Sequence, residues 1–165
     1  MIDRTQNRRT ALTWLGAAAA ASFLTACGSA ARAATFKVKY TEAEWKKRLT
    51  KNQYYLLREQ GTEPPFSSPL LNEHRKGTFL CAGCNNELYS STTMFHSGTG
   101  WPSFYQPLAG AVGTTTDFKL GYPRTAVHCA DCGGHLGHVF KDGPKPTGLR
   151  YCMDGDAMKF RPAKA

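Results

Sequence analysis

Four of the six cysteines fall into two Cys-x-x-Cys pairs, Cys81 with Cys84 and Cys129 with Cys132. That spacing lets one tight turn present two sulfurs to a single ion, and two such turns make a closed four-thiolate site of the structural zinc type. Such a site joins distant segments, so metal binding contributes directly to folding. Glycines at 83, 133 and 134 supply the backbone freedom that these knuckles need. Other fates stay open at this point: disulfides within or across the pairs in an oxidising compartment, or a rubredoxin-like iron site. Haem attachment is excluded, because neither second cysteine is followed by histidine.

Cys152, in Arg150-Tyr151-Cys152, is left without a structural duty. A lone cysteine is by default a small buried hydrophobe. Here Arg150, with His135 and His138 upstream, offers groups that lower a thiol pKa, which makes Cys152 a candidate nucleophile. The histidines lie in His135-Leu136-Gly137-His138-Val139-Phe140, three residues after Cys132. They would also complete a metal set of two cysteines and two histidines, but with four thiolates on hand they read more economically as acid–base groups. Gly98-Thr99-Gly100-Trp101-Pro102-Ser103-Phe104 is a glycine-hinged loop, and Trp101 suits the wall of an apolar pocket as well as it suits a core.

The 165-residue chain that must position these groups has room for one domain beyond its leader. Hydrophobic content of 41% excludes a disordered chain. The formal charge is +9, of which residues 1–33 hold four arginines and one aspartate. The remaining excess reads as a solvated lysine-rich surface, and a nucleic-acid partner is not expected. Asn7-Arg8-Arg9-Thr10 precedes an uncharged run from Ala11 to Ala26, the pattern of an export signal of the twin-arginine or the ordinary secretory kind. Leu24-Thr25-Ala26-Cys27 resembles a lipobox that would lipidate Cys27, whereas Ala31-Arg32-Ala33 would release a soluble protein. The expectation is residues 1–33 as export signal, 34–40 as tether and 41–165 as the domain, exported to the periplasm and, if Cys27 is lipidated, anchored at the membrane.

The domain opens with two capping boxes, Thr41-Glu42-Ala43-Glu44 and Thr50-Lys51-Asn52-Gln53, each predicting a short helix. Trp45 and Leu49 stripe the first, Tyr54, Leu56 and Leu57 the second, and Gly61 is expected to end it. From Gly77 onward short β-type runs follow: Gly77–Leu80, Glu87–Tyr89, Phe118–Leu120, Thr125–His128, His138–Phe140 and Arg150–Met153. Their brevity predicts small antiparallel sheets.

These motifs, in this order from about Trp45 to Phe160, resemble the methionine-R-sulfoxide reductases of the B type. The residues that carry the likeness are Cys81 to Cys84, Ser97 to Phe104 around Trp101, Cys129 to Cys132, His135 to Phe140, Asp142-Gly143-Pro144 and Arg150 to Cys152. The resemblance implies a mainly β fold, a β-tent of two small antiparallel sheets with short N-terminal helices and a four-cysteine structural zinc. It implies that Trp101 and Phe140 hold the methyl group of an oxidised methionine, and that His135, His138 and Arg150 order water and supply protons. Cys152 would attack the sulfur and become a sulfenic acid. Implied partners are oxidised proteins and peptides and a thiol donor; separately, the chain is expected to act as a monomer.

Two departures stand out. Many members of that family carry a resolving cysteine where this chain has Thr99, so the expected cycle uses one cysteine and an external thiol or thioredoxin-like reductant. The family's Cys-x-Asn-Ser is here Cys152-Met153-Asp154-Gly155. An ionised Asp154 in the substrate site would oppose the Cys152 thiolate by about 2–3 kcal/mol at ~6 Å and an effective dielectric of ~20, unless Arg150 or Arg161 paired with it. Rival readings are a non-enzymatic zinc-ribbon binding module and a disulfide oxidoreductase using one Cys-x-x-Cys pair. The first leaves the histidines, Trp101 and Cys152 unexplained, and no βαβ pattern supports the second.

Overall fold

The computed structural model describes residues 35–164. The twin arginines, Cys27 and the Ala31-Arg32-Ala33 site lie outside the described residues. Residues 35–40, read as a tether, run along the second cysteine knuckle: the Val38 amide donates to the Asp131 carbonyl at 2.8 Å, and Phe36 meets His128 edge-on.

Both capping boxes form. Thr41 caps α1 (Glu42–Arg48) and Thr50 caps α2 (Lys51–Glu59), each with its reciprocal bond from the residue three later. Trp45, Leu49, Leu56 and Leu57 are buried, as the stripes require. The left-handed cap that ends α2 is Gln60 at φ 54°, not Gly61, whose amide donates to the Tyr55 carbonyl.

Among the described residues, nine strands build two antiparallel sheets. The smaller, ordered β2-β1-β9, joins Glu87–Ser90, Gly77–Cys81 and Met158–Pro162. The larger runs β3-β4-β8-β7-β6-β5, with β3 Met94–Phe95, β4 Ser103–Phe104, β5 Val112–Asp117, β6 Arg124–Cys129, β7 His135–Phe140 and β8 Arg150–Met153. The core lies between the sheets and the helices. Tyr89 stacks on Phe104 at 4.3 Å between ring centres, Phe79 meets Phe104 edge-on, and Leu136, Val127 and Met153 fill in from the larger sheet. The fold is therefore mainly β, as expected. No helix among the described residues is long and apolar enough to cross a membrane.

One strand expectation fails. Phe118–Leu120 is not a strand but lies at the turn between β5 and β6, with Phe118 and Leu120 exposed. The strand ends one residue earlier, at Asp117. Lys119 instead pins the hairpin tip to α2, its ammonium donating to the Glu59 and Gln60 carbonyls at 3.0 and 2.9 Å. That places a cation on the helix C-terminus, where the free carbonyls and the dipole favour it.

Candidate active site and thiolate cluster

Register brings the predicted site residues together. β8 lies between β4 and β7, with Cys152 opposite both His138 and Ser103. Residues directly opposite in an antiparallel pair share a face, so these three side chains point the same way. Two residues along, Arg150 sits opposite Phe140 on that face, its guanidinium 4.6 Å from the ring centre. The same guanidinium forks onto Asp142 through bonds of 3.0 and 2.8 Å.

Strand alternation alone would put His135 and His138 on opposite faces, since they are three residues apart. A register shift opposite them in β6, with Gly137 at φ 143°, corrects this, and the two buried rings lie 5.2 Å apart. A Cβ at Gly137 would stand 2.2 Å from the Cys152 carbonyl oxygen. Only glycine allows both the backbone angle and the approach of β8.

His138 Nε2 bonds Asp117 Oδ2 at 2.7 Å, and Arg124 pairs with the same oxygen. The Lys119 amide, His138 and Arg124 hold the Asp117 carboxyl down at about 2. Burial lowers His138, against the upward pull of Asp117, and burial with the neighbouring His138 charge takes His135 down to about 4. At neutral pH Asp117 is thus ionised and both imidazoles are neutral, with the His138 Nε2–H donating to Asp117. The orienting carboxylate fixes the tautomer and leaves Nδ1 with its lone pair. Sequence reading missed Asp117 and Arg124, because a turn-flanking Asp and Arg acquire this role only through the pairing of β5, β6 and β7.

Trp101 is tied by its indole, Nε1–H donating to the Glu63 carbonyl at 3.1 Å. Glu63 does more. Its carboxylate accepts from the Gly155 and Asp156 amides at 2.6 and 3.0 Å, capping the turn that follows Cys152, and its amide donates to Asp154 Oδ1 at 3.0 Å. Nothing in the local sequence signals this buried acid. Asp154, expected beside the substrate, is 3% exposed and committed to that amide. Neither arginine pairs with it: Arg150 goes to Asp142 and Arg161 to Glu87. Burial instead raises the Asp154 carboxyl to about 7. The Cys152 thiol is pushed up by its own burial and by Asp154, and pulled down by Thr99 and Arg150.

The position noted for lacking a resolving cysteine is also occupied to a purpose. Thr99 Oγ1 lies 3.9 Å from Cys152 Sγ and 2.8 Å from Ser97 Oγ, which is 2.8 Å from Ser103 Oγ.

The four paired cysteines converge elsewhere, with their sulfurs all within 4.8 Å of one another. The knuckles are built alike. In each, the residue four after the first cysteine is left-handed and donates its amide back to that cysteine's carbonyl at 2.9 Å: Asn85 to Cys81 and Gly133 to Cys129. The first knuckle's left-handed residue is thus Asn85 rather than Gly83, asparagine being one of the few residues to tolerate that conformation. Two close contacts cross between knuckles, Cys81 to Cys132 at 3.7 Å and Cys84 to Cys129 at 3.5 Å. These are far beyond the ~2.05 Å of a disulfide. A tetrahedron with Zn–S bonds of ~2.3 Å has edges of roughly 3.8 Å, so the thiolates fit such an ion. Asn86 adds an amide N–H 3.4 Å from Cys129 Sγ, the outer support typical of such sites. Because Cys81 ends β1 and Cys129 ends β6, the cluster fastens one sheet to the other.

Residues 49–162 match the SelR domain family. The chain belongs to that family. It is 51% identical over 127 residues to the "Peptide methionine sulfoxide reductase MsrB" of Agrobacterium fabrum, covering 76% of this chain and 94% of the relative. A protein of the same name from Methanosarcina barkeri is 50% identical over 125 residues, covering 75% and 88%. The "Peptide methionine sulfoxide reductase B1, chloroplastic" of Arabidopsis thaliana is 50% identical over 121 residues, covering 73% and 60%. The resemblance read from the motifs is borne out. The SelR match spans both knuckles, the two histidines and Cys152, so the thiolate cluster and the Cys152 face belong to one domain.

Proposed function

We propose that this chain is a peptide-methionine (R)-S-oxide reductase that returns methionine sulfoxide in peptides and proteins to methionine, with Cys152 as nucleophile. The observation that carries this is the cross-strand placement of Cys152 beside His138, with Arg150 and Phe140 next along the same face.

Trp101, steadied by Glu63, and Phe140 receive the methyl group. His135, His138 and Arg150 orient water, which delivers a proton to the sulfoxide oxygen. The Cys152 thiolate attacks the sulfur of the protonated sulfoxide and bonds to it. The hydroxyl then passes to the Cys152 sulfur as the substrate's S–O bond and the new S–S bond break, so methionine leaves and Cys152 becomes a sulfenic acid. An external thiol condenses with it, releasing water, and a second thiol cleaves the mixed disulfide. A thioredoxin-like protein suits the donor role, since the other described cysteines are gathered at the cluster. Arg150, held by Asp142 and Phe140, supplies fixed positive charge along the strand from the sulfur.

The four-thiolate cluster is proposed to hold one structural zinc, whose role is to join the sheets rather than to take part in the reaction. The leader supports action outside the cytoplasm, on exported proteins damaged by oxidants, with or without a lipid at Cys27. Purified protein with a small dithiol is expected to reduce the R and not the S epimer of a peptide sulfoxide, and Cys152→Ser to abolish turnover. Equal turnover of both epimers, or activity surviving in Cys152→Ser, defeats the proposal. Metal analysis should return one zinc per chain, and a strong chelator should lower the melting temperature.

A further inference from the structure

Three hydroxyls run inward from the reactive sulfur in single file. Thr99 Oγ1 stands 3.9 Å from Cys152 Sγ, Ser97 Oγ 2.8 Å from Thr99, and Ser103 Oγ 2.8 Å from Ser97. The file ends where Ser103 donates to the Trp101 carbonyl at 3.1 Å. Ser103 is wholly buried, so its hydroxyl must find partners within the protein.

Each hydroxyl has one proton to donate and lone pairs to accept with, so the file has two consistent orientations. With Cys152 a thiol, S–H donates to Thr99, Thr99 to Ser97, Ser97 to Ser103, and Ser103 to the carbonyl. With Cys152 a thiolate, the sulfur can only accept. Thr99 then donates to sulfur, Ser97 to Thr99 and Ser103 to Ser97. A backbone carbonyl cannot keep a proton, so the file reorients and no proton crosses it. Bonds that point the same way polarise one another, which makes the remote members matter to the charge at the end.

We infer that Thr99, Ser97 and Ser103 form a reversible hydroxyl wire that stabilises ionised Cys152 and couples its charge state to the loop bearing Trp101. The inference rests on the reductase reading for the need to ionise Cys152. Thr99 touches the reacting atom, while Ser97 and Ser103 act as positioning residues through it. Other charged or titratable groups bear on the sulfur from every side: Arg150 and Asp154 along its own chain, and His138 from β7 with Asp117 behind it and His135 beside it. Arg150 also favours the thiolate, by its charge and by hydrogen bonding, but its guanidinium is shared with Asp142 and the Phe140 ring, so the Thr99 hydroxyl adds a second donor to the sulfur.

The test is the pH dependence of Cys152 alkylation by iodoacetamide, followed by mass spectrometry on the peptide containing residue 152 of the full, metal-loaded chain. Thr99→Val should cut the thiolate population at a given pH about tenfold, the scale of losing one bond to a charged acceptor. Ser97→Ala, which does not touch the sulfur, should shift the titration the same way by a smaller step, and Thr99→Ser should restore the wild-type midpoint. Unchanged melting temperature and metal content show that the half-buried Ser97 site tolerates alanine. A wild-type titration in both Thr99→Val and Ser97→Ala overturns the wire. So does a shift in Thr99→Val alone, which would reduce the file to one bond. Sulfoxide turnover by the wild-type chain is scored separately. Its absence would end the reductase reading and leave the titration to decide the wire.

Discussion

Glu63 and Asp154 hold each other across 91 residues of sequence: the Glu63 amide donates to Asp154 Oδ1, while the Glu63 carboxylate caps the two amides that follow Asp154. With the Glu63 carbonyl on Trp101, one residue ties that indole to the turn that follows Cys152. Two acids are thereby buried close together, and burial raises both carboxyls.

The pH consequence of Asp154 has a definite sign. Its folded carboxyl titrates at about 7 against an ordinary 3.8, so the folded state binds the proton more tightly than the unfolded chain. Stability from this group is complete below about pH 4 and falls as pH rises towards 7, by roughly 2–4 kcal/mol in all. Asp154→Asn retains an acceptor for the Glu63 amide and cannot ionise. Its melting temperature should therefore fall less steeply between pH 4 and 7, the raised Glu63 carboxyl leaving a residual slope of the same sign. At pH 8, where wild-type Asp154 is charged and opposes the thiolate, the variant should react several-fold faster. At pH 6 the two should be alike, and a gain of equal size at both pH values would mean that charge is not the cause.

Much of this frame was legible from local sequence. The capping boxes at Thr41 and Thr50 are satisfied within four residues, so no tertiary knowledge is needed to read them. The Cys-x-x-Cys pairs and Arg150–Cys152 were likewise readable from spacing and type. Phe118–Leu120 misled because its apolar residues alternate like a strand, whereas they are exposed at a hairpin tip. The true strand, Val112–Asp117, carries three exposed threonines and so gives no alternation of burial. Asp117, Arg124 and Glu63 were invisible for a different reason. Their partners are set by strand register or by chain crossings of up to 93 residues, and no local pattern encodes those.

Thr99 lies close enough to Cys152 for a thiol in its place to reach the reactive sulfur, since rotation about χ1 can shorten a 3.9 Å separation towards bonding distance. Thr99→Cys should therefore change the cycle. One equivalent of sulfoxide should leave a disulfide between positions 99 and 152, seen as a linked peptide pair on non-reducing mass spectrometry. Wild type should instead retain a sulfenic acid that a dimedone-type reagent traps. Trapping of sulfenic acid to the same extent in both proteins would show that the loop holds residue 99 too far away or too stiffly.

The bond from His138 to Asp117 is expected to set the proton chemistry without setting the reactivity of the sulfur. Asp117→Asn can still accept Nε2–H, so the ring should keep its place, but the anion that supports a developing imidazolium is gone. Single-turnover reduction should slow about ten- to hundredfold, less than the roughly hundred- to ten-thousandfold worth of the acid–base group itself, because the imidazole remains in place. The alkylation rate of Cys152 should change much less. A parallel fall in both rates would assign Asp117 to the shape of the site instead.

Gly137 is where the face bearing Cys152 and His138 is most easily broken. Its φ of 143° is closed to side-chain-bearing residues, and a methyl group there would meet the Cys152 carbonyl and the Met153 Cα at 2.2 and 2.9 Å. Backbone atoms of β8 cannot swing aside as a flexible side chain would. Gly137→Ala must therefore push β8 away or flatten the bulge, and flattening it sends His135 to the other face. Destabilisation on the order of 3 kcal/mol or more is expected from the strain and lost packing. Activity should fall well beyond what the unfolded fraction explains, because the separation of His138 and Cys152 changes with the strand. The knuckles are held by their own turns, so bound metal should stay near the wild-type level in whatever protein remains folded. A Gly137→Ala protein with full specific activity would show that the bulge does not position these histidines.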